Sequence, residues 1–273
     1  MTEARPSAHC ARLFERLEAA LLCADPVGKC ALVAELGAWL NSVELDWREI
    51  PQARGISEPG RPLLPKLVAP RELAQRGLGS ALGRAALVHA VAHIEFNAIN
   101  LALDAAHRFR KMPDAYYRDW LSVAVDEARH FQLLATRLGD MGYAYGDFDA
   151  HNGLWEMCLK TQDDVLLRMA LVPRVLEARG LDVTPGMIER LRVNRDLASV
   201  AALEIILSEE VRHVEIGTRW FHVLCRERGL DPDAHFLSLI HSYAHARVKP
   251  PFNLPARYSA GFSEHEMKAL SAL

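Results

Sequence analysis

The sequence predicts an all-α protein built around a four-helix bundle. Apolar residues recur with a helical period over four long stretches, and strand-type alternation is absent throughout. Two Glu-x-x-His units, Glu127-Ala-Arg-His130 and Glu210-Val-Arg-His213, each follow a lone helical glutamate. Glu95 precedes Glu127 by 32 residues and Glu177 precedes Glu210 by 33. Such a duplication is expected of two helix pairs related by a pseudo-twofold axis in a left-handed up-down bundle.

The elements follow in order. Residues 6–23 and 27–43 read as two amphipathic helices, with Asp25-Pro26 capping and starting the second. From Asp46 to Pro70 the pattern dissolves. Pro51, Pro59, Pro62, Pro65 and Pro70 exclude a long helix or central strand, so this is an extended arm wrapped on the bundle, with Leu63, Leu64, Leu67 and Val68 as its expected anchors. Four long helices come next, at about 81–110, 114–138, 153–179 and 196–228. Lys111-Met112-Pro113 is a tight turn between antiparallel neighbours, and Gly142 to Gly153 is a longer connection suited to a crossover. Gly180, Asp182, Pro185 and Gly186 are expected to end the third helix, with a short helical segment near 187–194. Asp231-Pro232 opens a helix to about 247, Pro250-Pro251 breaks it, and Ser263-Glu-His-Glu266 is a capping box for a last short helix. The expected organisation is N-terminal helices and arm at 1–80, the bundle at 81–228, and a helical extension at 229–273.

Half of the 273 residues are apolar, enough for a sizeable core, and the net charge of −3 leaves no electrostatic footprint for nucleic acid. Arg179, Arg190, Arg192 and Arg195 read as a solvated face. Cys10, Cys23, Cys30, Cys158 and Cys225 are odd in number and scattered, as expected of free thiols in a reducing compartment. With no signal pattern and no long uncharged apolar run, a cytoplasmic protein without a membrane partner is expected.

Residues i and i+3 of a helix share a face, so each Glu-x-x-His unit can aim a carboxylate and an imidazole at one point. Glu127 and His130 share a stripe with Trp120, Val123, Ala124, Phe131 and Leu134. Glu210 and His213 are flanked by Leu203, Ile206, Leu207, Val214 and Gly217. Glu95 lies with Val88, Ala92, Ile99 and Leu103, and Glu177 with Leu166, Ala170 and Pro173. Four acids directed into a core must be paired or bound to a cation. Four carboxylates and two imidazoles without thiolate suit two ions of Fe, Mn or Zn, and four carboxylates neutralise two divalent charges.

With these residues placed, the chain resembles the ferritin-like superfamily over residues 81–228, whose di-iron carboxylate members include rubrerythrins, ribonucleotide reductase small subunits, multicomponent monooxygenases and a tRNA hydroxylase. Beyond the motifs, His89-Ala-Val-Ala-His-Ile-Glu-Phe96, the stretch Arg168 to Asp182, Arg219-Trp-Phe221 and Pro251-Phe-Asn253 resemble a bacterial family called domain of unknown function 455. The superfamily resemblance implies Glu95, Glu127, His130, Glu177, Glu210 and His213 as metal ligands, iron foremost, with Glu127 and Glu210 as bridges and one histidine on each ion. Asp126 and Glu209 adjoin two of these acids. Helical neighbours differ by about 100°, so only the second acid of each pair is expected to face the site.

His89 and His93, with Asn97 and Asn100, read as an inter-helix hydrogen-bond network or as support for a ligand. His241 with His245, and Asp104-x-x-His107, read as surface features. The resemblance implies an O₂- or peroxide-dependent oxidoreductase or hydroxylase with a small-molecule substrate and an electron-donating reductase, an oligomer being left open. Ile99, Phe131, Ile206 and Val214 are expected to exclude water. Two other readings stand beside it: iron storage, detoxification or sensing without an organic substrate, and a helical scaffold with a structural metal.

Overall fold

The computed structural model describes residues 9–45, 50, 52–244 and 248–272. The expected helix start at 6–8, arm residues 46–49 and 51, and the helix end at 245–247 with His245 lie outside them. The described residues are all-helical and contain no strand.

Helices α1 (His9–Leu22) and α2 (Pro26–Asn41) form a hairpin. Asp25 starts α2 by accepting the Gly28 N–H at 2.7 Å. The fully buried Lys29 ends α1, donating to the carbonyls of Ala20 and Leu21 at 3.0 and 2.9 Å and to Asn100 Oδ1 at 2.7 Å. Burial pushes its pKa down to about 7. The hairpin thereby joins the central pair, α3 (Ala81–Arg108) and α4 (Asp114–Asp140), with α1 against α3 and α2 against α4. The short connection between α3 and α4 makes them antiparallel. On its other side α4 meets α8 (Leu197–Glu227), which packs on the third helical stretch.

That third stretch differs from expectation. It runs as α5 (Gly153–Lys160), α6 (Val165–Leu171), a π-helical segment (Val172–Glu177) and α7 (Ala178–Val193). The break at 161–164 arises because polar side chains compete for the backbone. Thr161 Oγ1 donates to Met157 O, Arg168 takes Cys158 O, and Asp164 accepts the Leu166 N–H to start a new helix. Nor does Pro185 end the helix. It lacks the N–H that would bond to Leu181 O, and Asn253 Nδ2 supplies that bond instead at 3.1 Å. The expected separate segment near 187–194 is therefore the continuation of α7.

The π segment lies where Pro173 meets α8. A Cβ on Gly217 would sit 2.2 Å from Pro173 Cγ, so only glycine permits this approach. Gly217→Ala is expected to cost about 1–3 kcal/mol through overpacking, read from denaturant unfolding; an unchanged midpoint would contradict the tight contact.

The arm is anchored otherwise than expected. Leu63 is 98% exposed and Leu64 58%, while Leu67 and Val68 are half-buried. Main-chain bonds hold it instead. Gly60 N donates to Leu21 O, and Lys66 and Val68 pair with Ala150 in an isolated parallel bridge. Ile56, Pro59 and Pro65 are buried, and the Ile56 carbonyl accepts from Arg108 Nη2 at 3.0 Å. The C-terminal segments α9 (Pro232–Leu239), a second π segment (Ile240–Ala244), α10 (Leu254–Ser259) and α11 (Glu264–Ser271) cover the far side. Ser263 and Glu266 form the expected capping box. Glu266 also accepts two bonds of 2.8 Å from the fully buried Arg174 of the first π segment.

By length and composition α3 would suffice to cross a membrane, but 78% of that window is buried inside the protein. It also carries Glu95, Asn97, Asn100 and Asp104 into the interior, which marks it as a core helix.

Candidate metal centre

The acids and imidazoles of both motifs converge between α3, α4, α8 and the end of the first π segment. Glu127, His130 and His213 are completely buried and Glu95 nearly so. Ligand atoms of Glu95, Glu127, His130 and Glu210 all lie within 4.8 Å of one another. His130 Nδ1 stands 3.0 Å from Glu95 Oε2, 3.5 Å from Glu127 Oε2 and 3.8 Å from Glu210 Oε1. His213 Nδ1 is 3.0 Å from Glu127 Oε1 and 3.5 Å from Glu210 Oε1. Glu127 thus turns one oxygen toward each histidine, and a single oxygen of Glu210 lies between the two. Glu177 and His213 are not in the tightest group; of its acids His213 Nδ1 approaches Glu127 and Glu210 alone, and Glu177 shares a cavity with Glu95, Glu127 and Glu210.

The residues fit a cation better than they fit one another. Both Glu127 oxygens, Glu177 Oε2 and His213 Nδ1 are buried without a hydrogen-bond partner, although His213 Nδ1 is only 3.0 Å from Glu127. Carboxylate and imidazole atoms brought so close without donor–acceptor alignment form a group that could hold a metal ion. Electrostatics show the strain. Desolvation and the charge of Glu127 raise the Glu95 pKa well above the carboxylate range, and desolvation with Glu210 and Glu127 does the same to Glu177. Glu210 is raised by desolvation and Glu127. Glu127 goes the other way, because the two imidazoles outweigh its own burial. Burial opposes the charge on His130, but the adjacent carboxylates of Glu127 and Glu95 push it up to about 11, and Glu210 and Glu127 likewise raise His213.

Asp126 and Glu209 do not face the ligand cluster, yet they belong to the site. His130 Nε2 donates to Glu209 Oε2 at 2.7 Å and His213 Nε2 to Asp126 Oδ2 at 3.2 Å. Each motif thus orients the histidine of the other, leaving both Nδ1 atoms directed at the acids. Arg129 bonds both Asp126 and Glu209, and Arg212 reaches Asp126 Oδ2 at 3.2 Å. Burial alone would raise the two acids; the bonds to His213 and Arg129, and to His130 and Arg129, lower them. The signal was present in the sequence, since both units share the longer pattern acid-Glu-x-Arg-His.

A cavity of about 400 Å³ opens onto the acids. Of the residues expected to exclude water, Ile206 lines it; Ile99, Phe131 and Val214 are buried elsewhere in the core. His89 Nε2 accepts from Gly146 N at 2.9 Å, and His93 bonds Tyr145 OH and His151 O at 2.9 and 3.1 Å. Both histidines therefore tie the Gly142–Gly153 connection to α3. Gly146 takes φ +114° there, a conformation open to glycine. Asp104 and His107 are buried, against the surface reading. Asp104 lies in the interior because Arg168 and Arg108 pair with it, both at 2.7 Å, and Cys158 Sγ donates to it. His241 is exposed, and Arg190, Arg192 and Arg195 lie on the surface, Arg179 being half-buried.

The chain is 45% identical over 269 residues to an uncharacterized protein of Haemophilus influenzae, covering 94% of this chain and 92% of that one. No solved structure matches it. Residues 22–268 match the family described as "Protein of unknown function (DUF455)", and the chain belongs to that family.

Proposed function

We propose that this is a ferritin-like di-iron carboxylate protein that oxidises a small organic molecule with O₂ or peroxide. The observation that carries the reading is the open end of the acid cluster. Glu95, Glu127, Glu177 and Glu210 form one wall of a largely apolar cavity, whereas a structural metal has a closed ligand shell. Support for the bundle comes from the matched pairs, α3 with α4 and the π segment continuing into α7 with α8, each contributing one lone glutamate and one Glu-x-x-His helix.

Glu95, Glu127, His130, Glu177, Glu210 and His213 would hold the two ions. Bound iron would supply the electrons for reducing the oxidant. Asp126 and Glu209 keep the imidazoles oriented, and Ala98, Val175, Leu203 and Ile206 keep water from the reacting molecule. As a hydroxylation the overall change is R–H + O₂ + 2 e⁻ + 2 H⁺ → R–OH + H₂O, with the electrons from an external reductase.

Anaerobic titration with Fe(II) followed by O₂ tests this. About two Fe(II) should bind per chain, and their oxidation should outpace that of free iron. Failure to bind two, or oxidation no faster than in buffer, would leave the structural reading. Accumulation of iron far beyond two per chain would favour storage.

A further inference from the structure

The cavity beside the acids is graded in polarity from one end to the other. Its deep end carries Glu95 and Glu127, both buried, with Ala98, Leu203 and Ile206 beside them. Its outer end carries Arg179, whose side chain is 29% exposed, the exposed Lys249, and Ile94, which is 45% exposed. Among the residues that line it, Glu95 and Glu127 are buried and Glu177 and Glu210 part-buried, whereas Arg179 is part-buried and Lys249 exposed. A volume of about 400 Å³ lies within the ~300–1,000 Å³ of small-molecule sites.

The rim cations are placed for use. Arg179 Nη1 donates to the carbonyls of Lys249 and Pro251 at 2.7 and 3.2 Å, which holds the 249–251 segment against α7 and orients the guanidinium plane. These carbonyls carry no formal charge, and the nearest acid, Asp182, is 3.7 Å away and already accepts two bonds from Arg257. Lys249 has no acid partner among the described residues. Two cations at the mouth of an apolar cavity, with carboxylates at its floor, favour one orientation of one kind of molecule: anionic head outward, apolar body inward.

We propose that the cavity takes an amphipathic organic anion, its carboxylate or phosphate between Arg179 and Lys249 and its apolar chain extending toward Glu95 and Glu127. Naming this molecule the substrate rests on the oxidase reading above; its binding does not. A cationic amphiphile is disfavoured by the rim, and a short hydrophilic anion leaves the apolar walls unfilled.

Binding can be measured by calorimetry on the full chain, both metal-free and Zn-loaded, with decanoate, decyl phosphate, decanol, decyltrimethylammonium and acetate. Decanoate or decyl phosphate should bind at least about ten-fold more tightly than decanol, and acetate and the cation should not bind detectably. The better of the two anions identifies the head group. Lys249→Glu, on the surface and free of acid partners, should weaken the anion at least about five-fold, leave decanol unchanged and keep the metal content. Ala98→Phe should block both ligands, with helicity checked by circular dichroism. Equal affinity for decanoate and decanol, or an anion affinity indifferent to Lys249→Glu, would overturn the proposal. Anion binding without Fe(II) binding would sink the oxidase reading alone, and Fe(II) oxidation without anion preference would sink this proposal alone.

Discussion

Glu127→Ala is expected to abolish tight binding of the metal pair, lowering affinity for at least one ion by more than about a hundred-fold. The number follows from comparison: losing an outer carboxylate that only orients a histidine costs about 10–100-fold, and Glu127 should exceed that because its two oxygens approach different histidines, at 3.5 and 3.0 Å. Asp126→Asn and Glu209→Gln, which disturb the Nε2 partners, should fall within the ten- to hundred-fold range. Glu204→Ala, on the surface and paired with Arg192, serves as the control and should leave affinity unchanged. Competition against a chelator, followed by metal analysis, measures all four. If the Glu127 variant keeps two ions at the affinity of the unaltered chain, the centre is wrongly assigned.

The metal-free protein should lose stability steeply as pH rises above about 6.5. Glu95, Glu177 and Glu210 have raised pKa values in the fold, so above about pH 4.5, the ordinary glutamate value, the folded state retains protons that the unfolded chain has released. From pH 6.5 upward His130, at about 11, and His213, also raised, add to this excess. Each proton held in excess lowers unfolding free energy by about 1.4 kcal/mol per pH unit. Groups with lowered pKa values have the opposite sign: Glu127 is complete above its unfolded value, His89, His93, His107 and His222 oppose the fall only below about pH 6.5, and the buried Lys29, at about 7, offsets one proton above that. Two divalent ions replace these protons, so loaded protein should show a much flatter profile, with protons released on binding. Urea unfolding between about pH 6.5 and 8.5, with and without metal, checks this. A metal-free profile as flat as the loaded one would contradict the charge distribution.

The order of helices, the caps at Asp25 and Ser263, and the core-facing acids were legible in the sequence because each is written in local periodicity or in a cap that acts within one turn. The third helix was not. Its break depends on Arg168 reaching back to Cys158 O from the following helix, and its passage through Pro185 depends on Asn253, far along the chain, replacing the missing donor. Local propensity contains neither partner.

The sequence by itself determined that the chain is helical and which four glutamates and two histidines face inward, since helical register is set by neighbours three and four residues apart. Only the tertiary structure decided that Asp126 and Glu209 each hold the other motif's histidine, that Asp104 and His107 are interior, and that the acids border a cavity with Arg179 and Lys249 at its mouth. These depend on distances between elements remote in the chain, where packing and the pairing of buried charges outweigh local preference.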